Sequence, residues 1–267
     1  MPGMEPATPL RYVHVEAVMG TMVSLDLRDR GPVSAAVDRV VSWLHVVDRM
    51  FSPYRETSAI SQINRGTLRQ ADADPLVTEV LWRCDQLRDR TDGFFDARAS
   101  GRLDPSALVK GWAIQVAADR LQAEGFRNFC LSAGGDVVTR GLPEPDQVWR
   151  IGVQHPREPS SIAAVLEAGE LAVATSGTYE RGEHITDPHT GEPPHGLLSV
   201  TVCGPDLGTA DALSTAVFAM GRAGADWTGS ADWSESLKDY QAMIIVDEDL
   251  VLSTPGFPYA VDQGTVT

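Results

Sequence analysis

Two short runs in the second half of the chain hold most of the residues whose types and spacing could do chemistry. Thr209-Ala210-Asp211-Ala212-Leu213-Ser214-Thr215-Ala216 reads as the start of a helix, which sets Asp211 and Thr215 four apart on one face. A carboxylate and a hydroxyl presented together are hard oxygen donors, suited to a Mg2+ ion whose remaining positions go to waters and substrate phosphates. A plainer reading stands beside it: an acid in the first turn complements the helix dipole, Thr209 caps and Thr215 packs. Upstream, in the run from Thr175 to Gly191, His184 precedes Asp187-Pro188 in a stretch dense with turn formers, at a strand end or on a loop. A lone histidine is more often incidental than catalytic, but beside a metal and phosphate site it can accept a proton near neutral pH. His189 and His195 follow at spacings of five and six, unlike the helical His-x-x-x-His pair of a zinc protease.

A third segment, Asp104-Pro105-Ser106-Ala107-Leu108-Val109-Lys110-Gly111-Trp112, opens another helix with an acid, a proline and a small hydroxyl residue. Asp104 reads as its N-cap with Pro105 at the first helical position. The same terminus gathers backbone donors and positive dipole, with Lys110 close behind, and so could also receive a phosphate. Gly134-Gly135-Asp136 reads as a tight turn closing a hairpin. The chain carries no Walker-type run, Gly-x-Gly-x-x-Gly fingerprint or Gly-x-Ser-x-Gly elbow.

The elements that must position these residues follow from hydrophobic periodicity. Arg11 to Arg28 alternates through Val13, Val15, Val23, Leu25 and Leu27 as a strand pair broken at Met19-Gly20-Thr21. Helical spacing runs over Val33 to Met50 and is interrupted at Phe51-Ser52-Pro53-Tyr54-Arg55, because Pro53 lacks a backbone donor. Further helices are expected over Ser58 to Asn64, Pro75 to Arg90 and Leu108 to Ala123, the last ending at Gly125. Short strands are expected at Asn128 to Ser132, Val137 to Thr139, Trp149 to Val153, Ile162 to Leu166, Leu171 to Thr175, Leu197 to Cys203, Ala242 to Val246 and Leu250 to Ser253. Mixed helices and largely antiparallel strands indicate an α+β fold. Residues 1–10 read as a flexible N-terminus and 11–267 as a single domain.

The formal charge of −15 argues against a surface built to grip nucleic acid or anionic lipid, so an anionic ligand would need a local cation. Cys84, Cys130 and Cys203 are far apart and odd in number, and are read as reduced core residues. Neither a signal-peptide pattern nor a lipid-accepting cysteine opens the chain, and no stretch reaches the roughly 18 apolar residues of a spanning helix. A cytoplasmic location without membrane insertion is therefore expected.

Taken in order, seven segments resemble the FAD:protein FMN transferases, the ApbE-like family: Met19-Gly20-Thr21; Phe51 to Arg55 with Ser58 to Asn64; Thr91-Asp92-Gly93-Phe94-Phe95-Asp96; Asp104 to Trp112; Ser132 to Asp136; Thr175 to Gly191; and Thr209 to Ala216. The resemblance implies a bi-lobed, single-domain α+β fold that binds FAD and Mg2+. It implies transfer of FMN from FAD to a threonine or serine hydroxyl of a flavin-accepting redox protein, with release of AMP. By position, Met19, Tyr54, Phe94, Phe95, Asp96, Asp104, Lys110 and Ile185 would line the flavin nucleotide site. Asp211 and Thr215, with Ser214 and the backbone oxygen of Ala107, would hold the metal, and His184 would be the base. The stretch between Asp96 and Asp104 is shorter than in many relatives, implying an abbreviated lid near the flavin. The absence of an export signal, which many relatives carry, implies a cytoplasmic target. A Mg2+-dependent FAD pyrophosphatase and a non-catalytic FAD carrier are the competing readings.

Overall fold

In the computed structural model, which describes residues 11–177, 185–247 and 250–260, the first alternating segment becomes a hairpin of β1 (Tyr12–Val18) and β2 (Thr21–Leu27). Its turn residues Met19 and Gly20 both take left-handed backbone, with φ of 54° and 71°, which matches the twist of the flanking strands. β3 (Phe129–Ala133) and β4 (Asp136–Arg140) repeat the device at Gly134 and Gly135, with φ of 53° and 89°. Then come β5 (Trp149–Gln154), β6 (Ile162–Ala168), β7 (Leu171–Gly177), β8 (Leu197–Gly204), β9 (Gln241–Val246) and β10 (Val251–Ser253). One eight-stranded sheet has the order β1-β2-β3-β4-β7-β8-β9-β10, with every neighbouring pair antiparallel, while β5 and β6 form a separate antiparallel pair.

The helices are α1 (Val33–Phe51), α2 (Ala59–Asn64), α3 (Pro75–Arg90), α4 (Ser106–Ala123), α5 (Leu207–Ala219), α6 (Arg222–Thr228) and α7 (Ala231–Ser236). Alternation along the strands sorts the sheet into two faces. Leu25, Leu131, Ala174 and Val202 join α1, α4 and α5 in the main core. Val173, Cys203, Met243 and Ile245 meet Val153 and Leu166 of the β5–β6 pair on the other face, with Phe257. Each of the buried Val, Leu, Ile, Met and Phe side chains among these contributes about 1.5–3 kcal/mol when fully buried. This is the α+β architecture with largely antiparallel strands that the sequence indicates.

α4 and α5 are buried on most sides and lie nearly backbone to backbone. A Cβ on Gly208 would stand 3.2 Å from the Cα of Trp112, so glycine is what permits the approach. Gln115 of α4 ties the two together, its Oε1 accepting the amide of Leu207 at 3.0 Å. α1 holds α4 from behind: Trp43 Nε1 donates to the carbonyl of Ala113 at 2.9 Å, and Trp43 and Phe51 pack edge-on against Trp112.

Two helix starts differ from the sequence reading. α5 begins at Leu207, and its cap is Asp206, whose Oδ1 accepts the amide of Thr209 at 2.8 Å. Asp211 therefore lies in the second turn, too deep to serve the dipole as a first-turn acid would. α4 begins at Ser106 after Pro105, so Asp104 is outside the helix. The sequence reading has no helix at α6 or α7, whose residues, Arg222–Thr228 and Ala231–Ser236, carry almost no large apolar side chains. The expected flexible segment 1–10 lies outside the described residues. All three cysteines are free, Cys84 and Cys203 buried and Cys130 half-buried. Among the described residues no helix is long and apolar enough to cross a membrane.

Candidate functional site

The strand registers bring the chemistry to one end of the large sheet. Val23 pairs with Ala133 and Val137 with Val173, so the turns at Met19-Gly20 and Gly134-Gly135 and the last residues of β7 fall at the same end. The two turns touch closely enough that a Cβ on Gly134 would stand 2.9 Å from Thr21 Oγ1. Asp136 opens β4 directly after the second turn and is fully buried, as is all but 4% of Asp211.

Lys110, from the second turn of α4, bridges these two acids. Its Nζ lies 2.6 Å from Asp136 Oδ2 and 3.9 Å from Asp211 Oδ1. The Asp136 contact is an ion pair by distance, but neither carboxylate oxygen of Asp136 accepts a hydrogen bond of good angle among the described residues. Asp211 Oδ2 accepts the amide of Gly111 at 3.3 Å. Burial pushes both carboxyls above their ordinary values, and the charge of Asp136 raises Asp211 further while Lys110 draws both back down.

Hydroxyls complete the surroundings. Ser176 of β7 lies 2.9 Å from Ser214 Oγ and 3.3 Å from Thr215 Oγ1, and Ser214 Oγ donates to the carbonyl of Asp211 at 2.9 Å. Gly111 follows Ala107 by four residues in α4, so the helix bond that Ala107's carbonyl would make is the one from the amide that also reaches Asp211. The oxygens gathered here, the carboxylate of Asp211 and the hydroxyls of Ser176, Ser214 and Thr215, with the Ala107 carbonyl one helix turn before Gly111, are all hard and lie in a buried setting. That donor set fits Mg2+ better than zinc or a soft metal. Cysteines and paired histidines take no part in it.

The remaining expected residues are more dispersed. Phe94 packs edge-on against His189 with ring centroids 4.5 Å apart, and a Cβ on Gly93 would stand 3.3 Å from His189 Cε1. His189 is placed by Asp187, whose Oδ1 accepts its amide at 2.8 Å. Met19 and Ile185 are half-buried against the main core, Phe95 is turned into it, and Tyr54 stands in solvent at 93% exposure. Asp96 accepts the amide of Arg98 at 2.8 Å, and Asp104 accepts the amide and hydroxyl of Ser106, occupying the first donors of α4. His184 lies outside the described residues.

A family profile described as the ApbE family matches residues 19–101 and 97–237, well over half of the chain. The chain belongs to the ApbE family. An FAD:protein FMN transferase of Vibrio cholerae is 37% identical over 129 residues, 45% of this chain and 39% of that relative. One from Rhodobacter capsulatus is 32% identical over 195 residues, 68% of this chain and 36% of that relative. The chain thus spans well under half the length of these two curated relatives. The FAD:protein FMN transferase of Treponema pallidum is 26% identical, with 79% of each chain covered. Among solved structures, the ApbE protein of Thermotoga maritima superposes with a TM-score of 0.80 at 23% identity, over 92% of this chain and 97% of that one. That likeness concerns the ApbE fold.

Within this ApbE chain two site residues escaped the sequence reading. Asp136 looked like the end of a hairpin turn, and only its burial beside Lys110 gives it a second role. Ser176 is one small residue in a run of small residues, and its contact with Ser214 and Thr215 spans 38 and 39 positions of sequence. No local pattern encodes such a distance.

Proposed function

We propose that this chain moves FMN from FAD onto a threonine or serine hydroxyl of a target protein and releases AMP, with Mg2+ as the metal. The observation that carries the reading is the buried cluster of Asp211, Lys110 and Asp136 beside the hydroxyls of Ser214 and Thr215, at the sheet end where the family segments meet. Membership in a family whose relatives bear that activity in their names supports it.

In this reading Asp211, Thr215 and Ser214, with the carbonyl of Ala107, hold the metal. Bound Mg2+ would supply charge neutralisation across the pyrophosphate. Lys110 adds positive charge beside the phosphates, its position fixed by Asp136. Met19, Tyr54, Phe94 and Ile185 offer apolar and aromatic surface for the isoalloxazine ring, whereas Phe95, buried in the core, has none to offer, and Asp96 and Asp104 offer acceptors for the nucleotide's polar edges. His184 takes the proton of the target hydroxyl as its oxygen bonds to the FMN phosphorus and the bond to the departing AMP breaks. We assign the reaction to the cytoplasm, in keeping with the three free thiols, and its partner to a flavin-accepting redox protein.

The test is mass spectrometry of a threonine-bearing acceptor domain incubated with this protein, FAD and Mg2+, with and without a chelator. A metal-dependent gain of one FMN on the acceptor is the expected result. Free FMN and AMP with no adduct would make it a pyrophosphatase, and intact FAD a carrier.

A further inference from the structure

The eight-stranded sheet ends differently at its two edges. β10 is only three residues long, and short edge strands are one way proteins discourage strand addition. β1 has seven residues, pairs with β2 over its whole length without a bulge, and has no strand on its outer side among the described residues. Its sequence, Tyr12-Val13-His14-Val15-Glu16-Ala17-Val18, contains neither the lysine nor the proline that commonly guards an edge.

The hairpin decides which backbone groups face outward. Val18 and Thr21 flank a two-residue turn and so form a hydrogen-bonded pair, as do Glu16 with Val23, His14 with Leu25 and Tyr12 with Leu27. Val13, Val15 and Ala17 therefore direct their N–H and C=O groups at the open edge. Val13 and Val15 are 48% and 50% exposed, and Met22, paired with Ala17 on the same face, is 57% exposed. The edge is thus apolar as well as unpaired.

We propose that β1 pairs antiparallel with β1 of a second copy of this chain, about a two-fold axis at Val15. In that register Val15 opposes itself and Val13 opposes Ala17, all three being residues whose backbone groups point outward. Between them His14 opposes Glu16 of the second copy, and Glu16 opposes its His14. These are non-hydrogen-bonded positions, where facing side chains come closest. An imidazole N–H donor thus meets a carboxylate acceptor across both symmetry-related pairs, and moving the axis to Val13 or Ala17 destroys that match. The strand's own sequence is its complement, which is what an isologous contact requires. Within one copy Glu16 Oε1 accepts from His45 of α1 at 2.7 Å and its Oε2 lies 3.4 Å from Nε2 of its own His14, so His14 and Glu16 stand side by side on one face of the edge strand.

Sedimentation from about 1 to 200 µM, the range of a small interface, tests the proposal. The intact chain should form a dimer. Val15→Lys sets like charges against each other at the axis and should weaken the dimer at least about tenfold. Met22→Lys, one strand inward on the same face, should leave it within about threefold. Amide exchange in the unaltered chain gives a reading that no variant can confuse. As concentration rises, the Val13, Val15 and Ala17 amides should gain protection, whereas those of His14 and Glu16, bonded to β2 throughout, should not change. A monomer at every concentration, a dimer indifferent to Val15→Lys, or the absence of that odd-numbered protection would overturn it.

Discussion

A Cβ on Gly111 would stand 2.6 Å from the carbonyl oxygen of Leu207, because α4 and α5 meet there backbone to backbone. In an exposed helix, alanine in place of glycine stabilises by about 1 kcal/mol. Here the added methyl also meets Asp211 Cβ at 3.0 Å, and both obstacles are rigid. Gly111→Ala should therefore destabilise by about 1–3 kcal/mol, the usual range for overpacking, and move Asp211 away from Lys110. Thermal melting gives the first number and Mg2+-dependent turnover the second. A variant that melts higher than the parent and keeps its activity would show that the helix contact is softer than this.

Asp211 is held at a cost to the fold. Burial first, then the charge of Asp136, raises its carboxyl well above the ordinary 3.8. A carboxyl raised in the folded state binds its proton more tightly there than in the unfolded chain. Its contribution to stability is therefore lost as pH climbs from the unfolded value toward the folded one. Asp211→Asn keeps the shape but does not titrate. In chelator, its melting temperature should match the parent's near pH 3.5 and exceed it by about 2–4 °C at pH 7, a shift expected for roughly 1 kcal/mol in a chain of this size. Mg2+ should then raise the parent's melting temperature and leave the variant's unchanged. Equal pH profiles for parent and variant would contradict the assignment of Asp211 as a strained, charge-bearing ligand.

The difference between what the sequence shows and what it hides is visible in these residues. Period-two alternation gives β1 and β2, the Pro75 to Arg90 periodicity gives α3 with its stated ends, and Asp211 and Thr215 announce themselves by a spacing of four. All three signals are local. The cap of α5 was misplaced because Asp206 and Thr209 are both good cap residues, and only the strand preceding them decides between the two. Asp136 and Ser176 acquire their roles through partners brought near by sheet register, which depends on how strands far apart in sequence find one another. The flavin wall was legible only through resemblance, since Tyr54, Phe94 and Met19 share no spacing that would betray a common surface.

The cysteines offer a check on burial. Desolvation pushes the thiols of Cys84, Cys130 and Cys203 up to about 12. Against a free thiol near 9, the thiolate fraction at pH 8 falls by about a thousandfold. A disulfide reagent should therefore label the native protein at least about a hundredfold more slowly than the protein in denaturant. Rapid labelling of one thiol would most plainly implicate half-buried Cys130, and would mean that the outer face of β3 opens more readily than its neighbours.

His184 and Asp211 have separable tasks in the proposed reaction, one moving a proton and the other holding a metal. Removing a general base costs about 100- to 10,000-fold in rate while leaving ground-state contacts with the substrate in place. His184→Ala should thus bind FAD with an affinity within a few-fold of the parent, yet transfer FMN at least about a hundredfold more slowly. Asp211→Ala should lose metal-dependent turnover altogether. Isothermal titration with FAD and single-turnover appearance of the acceptor adduct separate the two effects. If the His184 variant transferred flavin at the parent's rate, the proton would leave by another group, and His189, already seated against Phe94, would be the next residue to replace.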